Sequence, residues 1–401
     1  MYSKNKKKAA FSLHNKVKLI RGGSEYFNCL ENLINEAAHA IQLQVYIFEE
    51  DYTGNKIADQ LILASKKGIQ VQVLLDGYAS NGLSKSFRSK LTEASIKLRF
   101  FEPLFKNRKS YFGRRMHHKI VVVDGKKALV GGINISDRYN DLPGQSAWLD
   151  WAILIEGEAA FELYELSNFF YAKKEKDKII LNDKDIMSQL DLDSNCPISI
   201  RRNDWIMNKS EISATYMKML RNANDHVIMM SSYFIPGNFF KKNIIKALNR
   251  GVNIKAIVAG SSDIGISKYA EKYLYRWAIR HGLELYEYKH KILHGKIAVA
   301  DGNFVTVGSY NINDISALAS IELNIDVENI QFAKSTETIL KNIIENDCER
   351  VRPIDVLKNQ NTIKRILQWL SYQLFRVVLT LFTFYFKRKR KNQQNRYFFL
   401  K

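Results

Sequence analysis

The chain contains one short pattern written twice. It appears first as His117, Lys119, Asp124 and Gly131-Gly132-Ile133-Asn134, then as His294, Lys296, Asp301 and Gly308-Ser309-Tyr310-Asn311. Both copies read His-x-Lys, four residues, Asp, six residues, Gly-(Gly/Ser)-x-Asn, and the second lies 177 residues after the first with no slippage. A single His-x-Lys-x4-Asp arises by chance in a chain like this at roughly the few-percent level. Two copies with the same downstream Gly and Asn imply an internal duplication, which requires two structural units of one kind.

The duplication extends beyond the motifs. Residues 41–48, rich in β-formers, precede an amphipathic stretch from Ile57 to Lys67, then Gly68 and a strand-like 69–75. The counterpart is 227–234, a helix-like Phe240 to Asn249, Gly251 and 252–258. Strand, helix, glycine stop and strand form a βαβ unit, so each half is expected to hold a mixed, largely parallel β-sheet flanked by helices, an α/β fold. Further helix-length segments fall near 84–95 and 266–281. The motif itself reads as a β-hairpin: Lys119 to Val123 and Lys296 to Ala300 are strands, Asp124-Gly125 and Asp301-Gly302 are turn dipeptides, and return strands follow. His and Lys two residues apart on a strand project from one face.

At 401 residues with 46% hydrophobic composition, the chain can bury a core in each of two or three domains. The expected organisation is a basic segment at 1–14, repeats at 15–195 and 196–352, and a tail at 353–401. The boundary between repeats falls after a stretch dense in Lys, Asp and Glu, where Pro197 opens a β-like run echoing residues 17–21. Lys plus Arg outnumber Asp plus Glu by 61 to 41, which favours a polyanionic partner, either nucleic acid or an acidic membrane. Cys29, Cys196 and Cys348 are widely spaced, which argues against a disulfide framework or a zinc site and for a reducing compartment. The apolar run after the basic start is too short for a signal peptide, so the globular part is expected in the cytoplasm.

Two histidines at one site suit a double displacement at a phosphodiester. One neutral imidazole attacks phosphorus to give a phosphohistidine, and the other protonates the leaving alcohol and then deprotonates the incoming one. Lys119, Lys296, Asn134 and Asn311 would bind the phosphoryl oxygens, a task otherwise given to a metal, so neither metal nor cofactor is expected. Asp150 and Glu322 stand in apolar, strand-like settings and are expected to orient the imidazoles. Asp124 and Asp301 complete the motif and count among the catalytic candidates, although Asp-Gly is itself a turn signal and favours a role in fixing the hairpin. His118, on the opposite face of its strand from His117, reads as packing or surface, as do His281 and His290, which have no partner in the first half. Arg114 and Arg115 precede the first motif and are candidates for phosphate or solvent.

These residues resemble the phospholipase D superfamily, in which two such motifs form one active site across a pseudo-twofold interface. The resemblance covers roughly residues 15 to 350, and Met116 to Gly125 with Gly131 to Tyr139 and Trp148 to Asp150 looks like the short bacterial cardiolipin synthases. It implies a phosphatidyltransferase acting on phosphatidylglycerol, with His117 as nucleophile and His294 as general acid, or the reverse. Where such synthases commonly carry Arg-Ser after the second Gly-Ser-x-Asn, Ile315-Ser316 stands here, leaving the acceptor open. The alternatives are a phospholipase D using water and a metal-independent nuclease, although the resemblance makes nucleic acid an unexpected partner.

After Asn361 the pattern becomes helical and aromatic, from Ile363 through Leu381, and ends in the basic run Lys387 to Lys391. Charges interrupt it, and the uncharged runs beside Arg376 are about half the roughly twenty residues a spanning helix needs. An amphipathic helix lying in the interface of an anionic membrane, at the cytoplasmic face, is therefore expected.

Overall fold

The computed structural model describes residues 11–103, 115–188, 191–318, 320–357 and 362–377. Arg114 and the basic run Lys387 to Lys391 lie outside the described residues. The first half carries β1 (Asn15–Arg21), β2 (Ala40–Val45), β3 (Gln70–Asp76), β4 (Lys97–Phe101), β5 (Arg115–Met116), β6 (Lys119–Val123), β7 (Lys127–Gly131) and β8 (Trp151–Gly157). The second carries β9 (Ile198–Asp204), β10 (Lys209–Ser210), β11 (His226–Ser231), β12 (Asn253–Ala259), β13 (Glu284–Tyr288), β14 (Lys296–Ala300), β15 (Phe304–Gly308), β16 (Ser320–Val327) and β17 (Cys348–Arg350).

The two sheets repeat one topology. The first runs β1-β8-β7-β6-β2-β3-β4, and the second contains the matching path β9-β16-β15-β14-β11-β12-β13, extended by β10 and β17. Parallel pairing within each path is confined to β2-β3-β4 and β11-β12-β13. The other ladders are antiparallel, so the sheets are mixed but less parallel than the βαβ pattern implied. The reason is local: the motif hairpin and the outer strands connect by tight turns or return past one another, and both arrangements give antiparallel neighbours.

Each βαβ crossover buries one stripe of a helix. In the helix Tyr52–Lys66, Ile57, Ala58, Leu61 and Ile62 are buried, and the Asp51 side chain caps its start by accepting from Gly54 N. Gly68 and Gly251, both at φ 90°, end their turns in a left-handed conformation that glycine adopts without strain. One apolar core joins the halves: Val122, Val130 and Ile153 of the first sheet share it with Ile297, Val307 and Ile325 of the second.

The hairpin turns explain the third residue of each motif. Asp124 and Gly125 have φ of 52° and 67°, and Asp301 and Gly302 have 49° and 58°, so both central residues are left-handed as in a type I′ turn. The Asp124 carboxylate accepts from the backbone N–H groups of Ala38, His39 and Ala40 at 2.7–2.8 Å. Asp301 does the same for Asn224, Asp225 and His226 at 2.9–3.1 Å. Each carboxylate thus pins the hairpin to the start of the neighbouring strand. Asp124→Ala is expected to cost roughly 2 to 4 kcal/mol, because it orphans three donors to a charged acceptor. Urea unfolding checks this, and a loss under about 0.5 kcal/mol would contradict the role.

Candidate active site

Each histidine is held by the opposite half of the molecule. The two-residue strand β5, just before His117, leaves the first sheet and pairs in parallel with β16, Arg115 opposite Ser320 and Met116 opposite Ile321. His117 N then donates to Ile321 O at 2.9 Å, which sets the imidazole beside Glu322, Nδ1 to Oε2 2.8 Å. The second half mirrors this. Leu149 bridges Leu293, His294 N donates to Leu149 O at 2.8 Å, and His294 Nδ1 lies 2.6 Å from Asp150 Oδ2. An acid on Nδ1 fixes the Nδ1–H tautomer and turns Nε2 toward the site.

The acids have their own supports. Asp150 Oδ1 accepts from Trp151 N at 2.8 Å, and a Cβ on Gly132 would lie 2.4 Å from that oxygen, so the first motif requires glycine there. The second motif has Ser309 at this place, and its hydroxyl donates to Glu322 Oε2 at 2.5 Å. Both carboxylates are fully buried, so these partners offset part of the cost of removing them from water, although Glu322 Oε1 is buried without a hydrogen-bond partner.

The lysines and asparagines gather around the imidazoles. Lys119 Nζ donates to His117 O at 2.9 Å and lies 5.0 Å from the centre of the Tyr46 ring. Lys296 Nζ lies 2.9 Å from His294 Nδ1 and also donates to His294 O. Asn134 Oδ1 accepts from Ile47 N at 3.1 Å, and Asn311 Oδ1 accepts from Ser232 Oγ at 2.6 Å, which leaves the amide nitrogens as the donor ends. Asp124 and Asp301 are not in this group. Each sits at the far end of its motif strand, five residues and about 16 Å from the lysine, so their place among the catalytic candidates gives way to the hairpin role described above.

Burial dominates the electrostatics. It pulls Lys119 down to about 7 against the attraction of Glu322, and Lys296 down to about 8 against Asp150 and Glu322. Burial likewise pulls His294 down to about 4, with the Lys296 charge adding, and lowers His117 against the pull of Glu322. Each imidazole feels the lysine of the other motif, as expected if the halves form one site. The cluster therefore disfavours further positive charge, and an anion entering it would reverse that preference.

Several neighbours were not legible as site residues. Tyr139 OH accepts from Asn134 Nδ2 at 2.8 Å and lies 3.5 Å from His294 Nε2, with its ring edge-on to the imidazole. The equivalent position in the second motif is Ser316, so the repeat comparison carried no signal for it. Tyr46 packs edge-on against His117 with ring centres 4.8 Å apart. Buried Asp76 accepts from Met116 N at 2.9 Å and pairs with Arg115 at 3.4 Å, anchoring β5, so Arg115 serves the strand. His118 is buried edge-on against Phe170, while His281 and His290 bond to Trp277 O and Asp347.

Comparison with known proteins places this geometry. A family profile described as "Cardiolipin synthase, PLD-like domain" matches residues 30–165 and 216–344. Cardiolipin synthase B of Escherichia coli (strain K12) is 33% identical over 342 residues, covering 84% of this chain and 82% of that protein. The chain belongs to the cardiolipin synthase family with phospholipase D-like domains. Cardiolipin synthase 1 of Bacillus anthracis is 27% identical over 364 residues, covering 88% of this chain and 70% of its own length. The fold is also similar to that of phosphatidylserine synthase from Haemophilus influenzae, TM-score 0.72 at 16% identity, covering 93% and 96% of the two chains.

The His294 environment gives a pH signature. Between about 6.5 and 4 the unfolded chain takes up a proton that the folded imidazole refuses, so this group lowers stability as pH falls through that window. Histidine NMR titration of the free protein is expected to show His294 neutral down to about pH 4. Bound vanadate should move the midpoint upward, and an unshifted midpoint near the ordinary histidine value in the free protein would contradict the account.

Proposed function

We propose that the protein is a phosphatidyltransferase that makes cardiolipin from two molecules of phosphatidylglycerol through a phosphohistidine intermediate. The observation that carries this is the pair of imidazoles, each oriented by a carboxylate of the opposite half and flanked by two lysines. Family membership supplies the substrate class. His117 Nε2 attacks phosphorus, and the bond from phosphorus to the glycerol headgroup oxygen breaks. His294, protonated once the phosphate anion is bound, gives its Nε2 proton to that oxygen, and glycerol leaves. A hydroxyl of the second phosphatidylglycerol then passes its proton to His294 and attacks the phosphorus, freeing His117 and completing cardiolipin.

The assignment of roles follows the resemblance and has support in access. The His117 side chain is 15% exposed and that of His294 is 8%, with Tyr139 and Trp148 beside the latter. A nucleophile must reach phosphorus, whereas an acid needs only a proton path to the leaving oxygen. Lys119, Lys296 and the amide groups of Asn134 and Asn311 stabilise the equatorial oxygens in the transition state. Purified protein with phosphatidylglycerol vesicles is expected to yield cardiolipin and glycerol in equal amounts, undiminished by EDTA, and His117→Ala should lose at least 10³-fold, roughly what removing a covalent nucleophile costs. Phosphatidic acid as the sole product would overturn the transferase in favour of a hydrolase.

We further propose that the enzyme works on the cytoplasmic face of a membrane, held there by its tail. No helix among the described residues is long and apolar enough to cross a membrane. Residues 362–377 are helical and rest on the protein through Gln368 and Tyr372, leaving Ile363, Ile366, Leu367, Leu370, Leu374 and Val377 exposed as one stripe. Their spacing puts them on a single face, the pattern of a helix lying in an interface. Phe239, Ile264 and Ile266 are also exposed, at the starts of the helices that follow β11 and β12, beyond the end of the sheet where Lys296 pairs with Ser231. Cutting the stripe with Ile366→Ser and Leu370→Ser is expected to weaken vesicle binding about tenfold or more by cosedimentation, given roughly 1.5 kcal/mol or more for each buried aliphatic side chain. Unchanged binding would refute the anchor.

A further inference from the structure

A groove of about 850 Å³ runs between the tail helix 362–377 and the helix Gly265–Arg280. Six basic side chains line it: Lys241, Lys272, Arg276, Arg280, Arg365 and Arg376. Three of them, at 272, 276 and 280, repeat every fourth residue on one helix face, where like charges repel and destabilise the helix. Among the described residues, Lys241, Lys272, Arg276, Arg280 and Arg365 form no ion pair with a carboxylate, and Arg276 Nε is buried without a hydrogen-bond partner. The acids that face the cluster are few: Asp314 draws on Lys241 and Arg376, and Glu287, already paired to Lys268, draws on Lys272.

The walls are amphipathic. Tyr372 stacks on Tyr273 with ring centres 4.9 Å apart, and Lys241 Nζ lies 5.7 Å from the Trp277 ring centre and 5.9 Å from that of Tyr372. Arg276 is partly buried, while Arg280 and Arg365 are exposed at the mouth. Of the apolar stripe of the tail helix, Ile366 also lines the groove, and Tyr372 packs with Ile235 and Leu274. Ile235 lies four residues beyond the end of β11, on the segment whose Ser232 holds Asn311. The groove thus adjoins the wall of the active site without sharing its residues.

We propose that this groove is a second, non-catalytic site that takes the phosphate headgroup of an anionic phospholipid in the bilayer on which the tail helix lies. The cation cluster supplies the charge match, arginine supplies forked donors for phosphate oxygens, and the neighbouring apolar stripe accounts for the acyl chains. The proposal rests on the membrane reading given above, and it adds that retention depends on lipid charge through these particular side chains.

The test uses the full chain carrying His117→Ala, so that binding is read without turnover and independently of which reaction the site performs. Cosedimentation is measured with vesicles of phosphatidylcholine alone and of phosphatidylcholine with phosphatidylglycerol. Arg276→Gln with Arg280→Gln is expected to weaken binding to the charged vesicles by about 30-fold, as for two basic side chains near an anionic surface, and to leave binding to neutral vesicles as it was. Arg280→Gln with Arg365→Gln, both exposed, should give the same result and serves if the first pair perturbs folding. Equal binding of variant and parent to charged vesicles, or equal loss on both vesicle types, would overturn the proposal. Inorganic phosphate at matched ionic strength should not displace the protein beyond what chloride does. Specific displacement would mean that the groove takes the free anion, and would overturn the lipid assignment.

Discussion

The active site depends on an exchange of backbone between the two halves. Neither half has a complete imidazole on its own: the strand entering His117 hydrogen-bonds along β16, which presents Glu322, and the segment entering His294 runs against Leu149, next to Asp150. The tautomer of each histidine is thus set by a residue more than a hundred positions away. The shared apolar core between the sheets holds that exchange in place, because separating the halves would expose the core and strip each imidazole of its acid. Folding of the interface and assembly of the chemistry are one event.

Once assembled, the site is a buried cluster of basic groups with two carboxylates between them. Desolvation holds both lysines below their ordinary values, repulsion from Lys296 adds to the effect on Lys119, and burial with the nearby lysine charges pulls His294 down as well. That arrangement costs stability and suits an anion. In the proposed reaction, a phosphodiester would supply the negative charge that lets the lysines charge fully and His294 take up its proton, coupling binding to activation through the same electrostatics.

The duplicated motif is symmetric in sequence, but the chemistry asks for two unlike histidines. The structure breaks the symmetry with small differences. Gly132 clears room for Asp150 where Ser309 donates to Glu322, and Tyr139 covers His294 where the equivalent position in the second half is Ser316. The two imidazoles also differ in exposure, 15% for the His117 side chain and 8% for that of His294.

By itself the sequence determined the duplication, the βαβ units, the motif hairpins, and the residues His117, Lys119, Asn134, His294, Lys296 and Asn311. These are set by local period, turn chemistry and spacing, which a chain expresses within a few residues of itself. It also marked Asp150 and Glu322 as acids in apolar surroundings, where a carboxylate needs a partner. Only the tertiary structure decided which acid serves which histidine, that Asp124 and Asp301 hold turns, that Asp76 anchors β5, and that Tyr139 and Tyr46 line the imidazoles. Those outcomes depend on contacts between segments far apart in the chain, and no period or spacing encodes which strand edges will meet when two sheets pack across one core.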